Sequence, residues 1–152
     1  MINHQSQFAV HRCVTYVHVA DVDASLAFYA GLGFVGVDTL RDAEGRAFWA
    51  MARSGDGGGE GSGAEIMFAR ASGPIDPAEQ AVLFYMYSSD VRALRAHLLG
   101  CGLHDGGVFT GQPGPNGGRR VVFAVAAREY MPGGEVRVAD PDGYCVLVGQ
   151  VE

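Results

Sequence analysis

Any chemistry in this 152-residue chain rests on a short set of side chains. His18 lies on a strand-like run, where an imidazole is either a general base near neutral pH or a hydrogen-bonded wall residue. Glu65 reads as a solvated strand residue or as an anion in a pocket. Tyr16, Tyr85 and Tyr87 offer phenol hydroxyls to a ligand, or are core residues with hydroxyls at a rim. Trp49 is packing or a ligand contact. His4, His11, His97 and His104 lie on the N-terminal tail, beside a loop or on a helix exterior, and take no role. Cys13, Cys101 and Cys145 are widely spaced with no CxxC pair, so neither a zinc knuckle nor a disulfide framework is indicated. The glycine-rich run Gly55–Gly63 lacks the lysine and following helix of a phosphate loop, and neither Gly117-Gly118 nor Gly133-Gly134 opens a helix.

The composition bounds what those residues can serve. Hydrophobic residues make up 48% and charged residues 18%, a globular balance with enough chain to bury a core. The net charge of −6 argues against a nucleic-acid partner, which calls for a basic face. It suits a cationic small molecule or simple solubility. No apolar run approaches the ~20 residues of a membrane helix, and the N-terminus has no basic head followed by an apolar stretch. A cytoplasmic protein with reduced thiols is expected.

Two strand–helix–strands patterns position these groups. Alternation in Val14–Val19 puts Val14, Tyr16 and His18 on one face and Thr15, Val17 and Val19 on the other. Asp21 caps a helix over Val22–Ala30, with Val22, Leu26, Tyr29 and Ala30 at helical spacing. Gly31 and Gly33 end it. Strands follow at Phe34–Leu40, Ala47–Arg53 and Ala64–Arg70, with a turn at Asp42–Gly45 and a loop at Gly55–Gly63. Ala71–Glu79 is a connector. The pattern then restarts with a strand at Ala81–Tyr87, a cap at Asp90 and a helical stripe of Val91, Leu94, Leu98 and Leu99 closed by Gly100 and Gly102. Further strands are predicted near Val108 and at Arg120–Ala126, Glu135–Ala139 and Tyr144–Val148, with a loop at Thr110–Gly118. The two modules, 13–71 and 80–150, form one domain over 1–152 as an internal duplication of about 65 residues each.

The duplication, with ADVDASLAFYAGLGF in its first half and RVADPDGYCVLVGQ at its end, resembles the vicinal oxygen chelate superfamily of glyoxalases, bleomycin-resistance proteins and extradiol dioxygenases. The resemblance covers about Val14–Gln150. It implies an α+β fold in which two βαβββ modules curl mixed sheets around a central funnel, commonly in a homodimer. The residues that carry it are structural. Phe28, Tyr29, Leu32 and Phe34 supply bulk under a sheet, and Asp140-Pro141-Asp142-Gly143 is turn chemistry joining two strands whose Val136, Val138, Val146 and Val148 share a layer.

Metal-dependent relatives place His and Glu ligands on the funnel-facing side of four strands, leaving positions open for substrate oxygens. Counting back from Asp21 gives Val14, and back from Asp90 gives Phe84 or Leu83. Counting on from Asp140 gives Leu147, and the fourth seat falls on Glu65 or Met67. Three of four seats hold residues with no electron pair to donate, and the neighbours Cys13, Thr15, Val146 and Val148 offer no replacement set. No metal and no cofactor are therefore expected. The same parity lines the funnel with Tyr16, His18, Trp49, Glu65, Tyr85, Tyr87, Arg137 and Leu147, with Leu83 deeper and Cys145 from the final hairpin. Tyr130 is placed to lid it. Such a funnel suits a metal-independent protein that binds an aromatic or cationic compound, with no catalytic residue assigned. The alternatives are a metal-dependent lyase, isomerase or dioxygenase with a non-standard site, and a metal-independent enzyme using His18 or a tyrosine.

Overall fold

A computed structural model describes residues 13–55, 63–76, 79, 83–111 and 119–151. Most of the expected Gly55–Gly63 and Thr110–Gly118 loops, and the start of the Ala81–Tyr87 strand, lie outside the described residues. The first half comprises β1 (Thr15–Val19), α1 (Val22–Ala30), β2 (Phe34–Arg41), β3 (Ala47–Ser54) and β4 (Glu65–Arg70). The second comprises β5 (Phe84–Ser88), α2 (Val91–Gly100), β6 (His104–Asp105), β7 (Val121–Val122), β8 (Ala126–Arg128), β9 (Met131–Ala139) and β10 (Cys145–Gln150).

The first sheet runs β1-β4-β3-β2 and the second β5-β10-β9-β7-β6, with β8 also on β9. In each half the strand before the helix pairs in parallel with the last strand, β1 with β4 and β5 with β10, and the other long pairings are antiparallel. A right-handed crossover through a helix is the usual way to return a chain parallel to its starting strand. The halves therefore repeat in topology as well as in pattern, and the α+β class follows from the two helices packed on mixed sheets.

Local chemistry sets the helix ends. The Asp21 carboxylate accepts from the Ala24 N–H (3.0 Å), and Asp90 accepts from the N–H groups of Arg92 and Ala93 (3.1 and 2.9 Å). Both satisfy donors that a helix start leaves open. The α1 stripe differs from the sequence expectation: Val22, Ser25, Phe28 and Tyr29 are buried, Leu26 only partly, and Ala30 is exposed. Adjacent Phe28 and Tyr29 straddle the buried face, which rotates it away from Ala30.

Three strand expectations are corrected. No strand forms at Val108; Gly106-Gly107, with Gly107 at φ +65°, breaks the extended run, and pairing occurs instead at His104–Asp105. The Arg120–Ala126 strand is split into β7 and β8, because the Ala124 N–H leaves the ladder to donate to Gly107 O (2.8 Å). β9 begins earlier than expected, at Met131, through its pairing with β8.

The halves share one core. Val19, Val22, Phe28, Tyr29, Ala50 and Phe68 join Phe84, Val91, Leu98, Val136, Val138 and Val146 in a single buried cluster. Tyr29 sits at the joint, 5.0 Å from the Phe68 ring and 6.4 Å from Phe84, and Phe84 lies 5.9 Å from Tyr144. The turn between β9 and β10 completes the joint. The Tyr29 hydroxyl donates to Asp140 Oδ2 (3.2 Å), the Ala20 N–H to Asp142 Oδ1 (3.0 Å) and the Tyr144 hydroxyl to His18 O (2.8 Å). Asp140 Oδ1 also accepts from the N–H groups of Asp142 and Tyr144, and Gly143 takes φ +83° to close the turn. Burial nonetheless pushes the Asp140 carboxyl up to about 7.

Candidate functional site: two sheet faces turned away from the helices

Alternation divides each sheet into a face against its helix and a face away from it. On β1, Val17 and Val19 are buried while Tyr16 and His18 are exposed. Register carries this split across the first sheet. Tyr16 lies beside Met67 and Met67 beside Met51; His18 lies beside Ala69, and Trp49 pairs with both Ala69 and Leu40. This first face is therefore aromatic and thioether in character, with Tyr16 59% exposed. Its charges cancel: Arg53 Nε and Nη2 both donate to Glu65 Oε1, at 3.0 and 2.8 Å. Tyr16 meets His18 edge-on at 6.2 Å.

The second face is built from β5, β10 and β9. Leu147 pairs with Tyr85 on one side and Arg137 on the other, and Gly149 pairs with Tyr87 and Glu135. Tyr85 and Tyr87 pack at 5.4 Å. Two phenols converge on one carboxylate oxygen: Tyr85 and Tyr130 both donate to Glu135 Oε2, at 2.8 and 3.1 Å. Desolvation, then the hydrogen bond to Glu135, pushes the Tyr85 hydroxyl up to about 12. Gly149 makes this arrangement possible, since a Cβ there would stand 2.9 Å from the Tyr85 hydroxyl. The Arg137 guanidinium lies 3.8 Å over the Phe109 ring, and Phe109 packs edge-on against Phe123 at 5.2 Å. Beside them is a cavity of about 80 Å³ lined by Phe109, Arg128, Glu135 and Arg137 among others.

The structure places Tyr16, His18, Trp49 and Glu65 together on the first face, and Tyr85, Tyr87, Arg137 and Leu147 together on the second. Leu147 is nearly covered, whereas Tyr87 is 64% exposed. Leu83 is not deep in a funnel but exposed just before β5, which among the described residues is flanked by one strand. Phe84 points into the shared core and leaves Leu83 as the residue of that pair on the outer side. Tyr130 reaches the second face by its bond to Glu135. Burial raises the Cys145 thiol, which suppresses the thiolate a nucleophile needs.

Sequence reasoning missed Glu135, Phe109 and the Arg53 partner of Glu65. Glu135 and Arg53 were legible, since each lies on a strand in register with a residue already singled out. Phe109 was not, because its segment read as a strand and is a loop.

Among the described residues no three His, Cys, Asp or Glu side chains come close enough together to hold a metal ion. Val14 and Leu147 stand at two of the expected seats, and Glu65 at a third is engaged by Arg53.

The fold is that of solved proteins at low identity. A bleomycin resistance determinant encoded on the transposon Tn5 superposes with a TM-score of 0.64 at 22% identity, over 94% of this chain and 99% of that one. The bleomycin-binding protein of bleomycin-producing Streptomyces verticillus, complexed with copper(II)-bleomycin, gives 0.61 at 21% identity, over 95% and 98%. A glyoxalase-related enzyme from Clostridium phytofermentans gives 0.63 at 11% identity, over 97% and 100%. No family model and no curated protein matches the sequence. These likenesses establish the glyoxalase/bleomycin-resistance fold and nothing further.

Proposed function

We propose that this chain binds an aromatic small molecule by contact, without a metal, as a cytoplasmic homodimer in which each chain acts as one binding domain. The observation that carries the reading is the pair of outward sheet faces. Rings of Tyr16, Trp49, Tyr85 and Tyr87 line these faces, while Val14 and Leu147 occupy seats at which metal-dependent relatives on this fold would need nitrogen and oxygen donors. Flat ligands gain about 0.5–1.5 kcal/mol per well-placed ring pair beyond burial. His18, Glu65 and Arg137 supply polar handles, and Leu147 the apolar floor. Exposed apolar area of this kind on a single chain favours a second copy that covers part of it. The solved bleomycin-binding proteins support the class of activity, since they hold an organic ligand on the same fold.

Two measurements test the reading together. Elemental analysis of protein purified without a histidine tag is expected to find substoichiometric zinc, manganese, iron and nickel. A thermal-shift screen over planar aromatic compounds is expected to find at least one that stabilises the dimer, by about 2.7 kcal/mol at 100 times its dissociation constant. A stoichiometric metal, or a screen in which no aromatic compound stabilises the protein, overturns it.

A further inference from the structure

We infer that the cavity beside Arg137 anchors an acidic group of the ligand, a carboxylate or similar monoanionic oxyanion, while the aromatic faces hold the rest. The inference rests on the small-molecule reading above and assigns the polar end of that ligand. It differs from the cationic ligand that the net charge left open beside simple solubility.

Three features of the second face lead to it. First, two guanidinium groups, Arg128 and Arg137, line the cavity, and among the described residues neither lies within salt-bridge distance of a carboxylate. Arg53 on the first face is already engaged by Glu65. Second, Arg137 is half-buried and stacked on Phe109 at 3.8 Å. Stacking occupies the face of the guanidinium and leaves its edge, where the N–H donors point. A planar cation held by its face is preorganised to donate two parallel hydrogen bonds to a carboxylate. Third, Glu135, the one acidic side chain among the described lining residues, already accepts from two phenols at Oε2. Those donors offset much of its field, and two cations against one anion leave the lining positive. A cavity of about 80 Å³ takes a single functional group and not a whole ligand. Phe109 lines it, and Tyr85, bonded to the Glu135 of that lining and packed on Tyr87, offers ring surface for the remainder. Glu135 also sets the charge limit, since a doubly charged anion would stand against its carboxylate.

Three matched probes of one ring system test this: 2-naphthoate, 2-naphthylmethylammonium and 2-naphthylmethanol. Titrations are followed by heat and by the Arg137 Nε–H resonance in labelled protein. Naphthoate is expected to bind most tightly and to move that resonance. Arg137→Met should cost about tenfold or more in naphthoate affinity, the scale of a charge-assisted pair, while leaving affinity for the alcohol unchanged. Arg137→Lys should recover only part of the loss, because an ammonium lacks the planar fork. Arg128→Gln serves as a second variant at an exposed position, with a smaller loss expected. Equal or tighter binding of the ammonium probe overturns the oxyanion assignment and leaves the aromatic-face reading standing. Failure of all three probes overturns the oxyanion assignment, and the aromatic-face reading falls with it when the wider aromatic screen is also empty. Inorganic phosphate titrated alone separates a free-anion site from an anchor. A resonance shift with phosphate but none with naphthoate sinks the anchor.

Discussion

The two outward faces descend from the same strand–helix–strands pattern, yet they differ in what they leave unfinished. The first face neutralises its own charge through Arg53 and Glu65 and exposes rings and thioethers. The second is partly roofed by Phe109 and Tyr130, spends its carboxylate on two phenols, and keeps Arg137 without an acidic partner among the described residues. One half supplies area and the other supplies polarity. A duplicated scaffold permits this division because the residues facing the helices fix the fold, and the alternate residues on the same strands are free to diverge.

One joint holds both faces, and breaking it should give the largest effect. Phe84 packs between Tyr29 of the first half and Tyr144 of the second. Phe84→Ala is expected to cost about 3–5 kcal/mol, the range for deleting a buried phenyl ring, read by denaturant unfolding. A loss below about 1 kcal/mol would mean the halves are held elsewhere.

The same joint carries a pH signature. Asp140 is buried with its carboxyl raised to about 7, facing Tyr29, Asp142 and Tyr144, and Asp142 is raised too. The folded chain therefore holds protons that the unfolded chain, with carboxylates near 4, has released. Stability from this group is full below about pH 4 and is lost as pH rises to about 7, on the order of a few kcal/mol across that window. Asp140→Asn keeps an oxygen for the two backbone donors and offers an amide to the Tyr29 hydroxyl. Its thermal midpoint should exceed that of the unaltered protein above pH 7 and lose that advantage towards pH 4. A difference independent of pH would show that Asp140 is ionised and well solvated in the folded state.

Sharpening the contrast in charge calls for a change on the first face. Arg53→Met strips the guanidinium from a mostly buried Glu65 and should destabilise by about 2 kcal/mol, less than for a fully buried pair. Arg53→Met with Glu65→Leu should recover most of that, because two apolar residues need no partner. If the single variant costs nothing, the first face does not depend on internal neutralisation.

How much of this was legible beforehand follows from which forces are local. The helix ends were readable because caps and glycine stops act within a few residues, as at Asp21 and Asp90. The inward and outward parity of β1, β5 and β10 was readable because alternation is a property of one strand. The DPDG turn was recognised as a turn, but its grip on the other half through Ala20, Tyr29 and His18 was not, since those partners lie more than a hundred residues away. The strand near Val108 failed for a related reason. Two glycines free the backbone to bend, and which strand then captures it is decided by tertiary pairing. Phe109 over Arg137 is a product of that bend, and no local pattern announces it.

The smallest expected effect bears on the most specific difference between the faces. Tyr130 and Tyr85 both donate to Glu135 Oε2, and Tyr130 is the more exposed of the two. Tyr130→Phe removes one donor and leaves the ring, so stability should fall by only about 1 kcal/mol. Its consequence for charge should be larger than its consequence for folding. With one phenol fewer, the Glu135 carboxylate is less offset and bears more strongly on Arg137, so an acidic probe should bind more weakly while a neutral ring of the same shape binds as before. Tyr85→Phe should act in the same direction with a greater loss, because Tyr85 makes the shorter bond. If both variants bind acidic and neutral probes as the unaltered protein does, the phenols are structural and the polarity of the second face has another source.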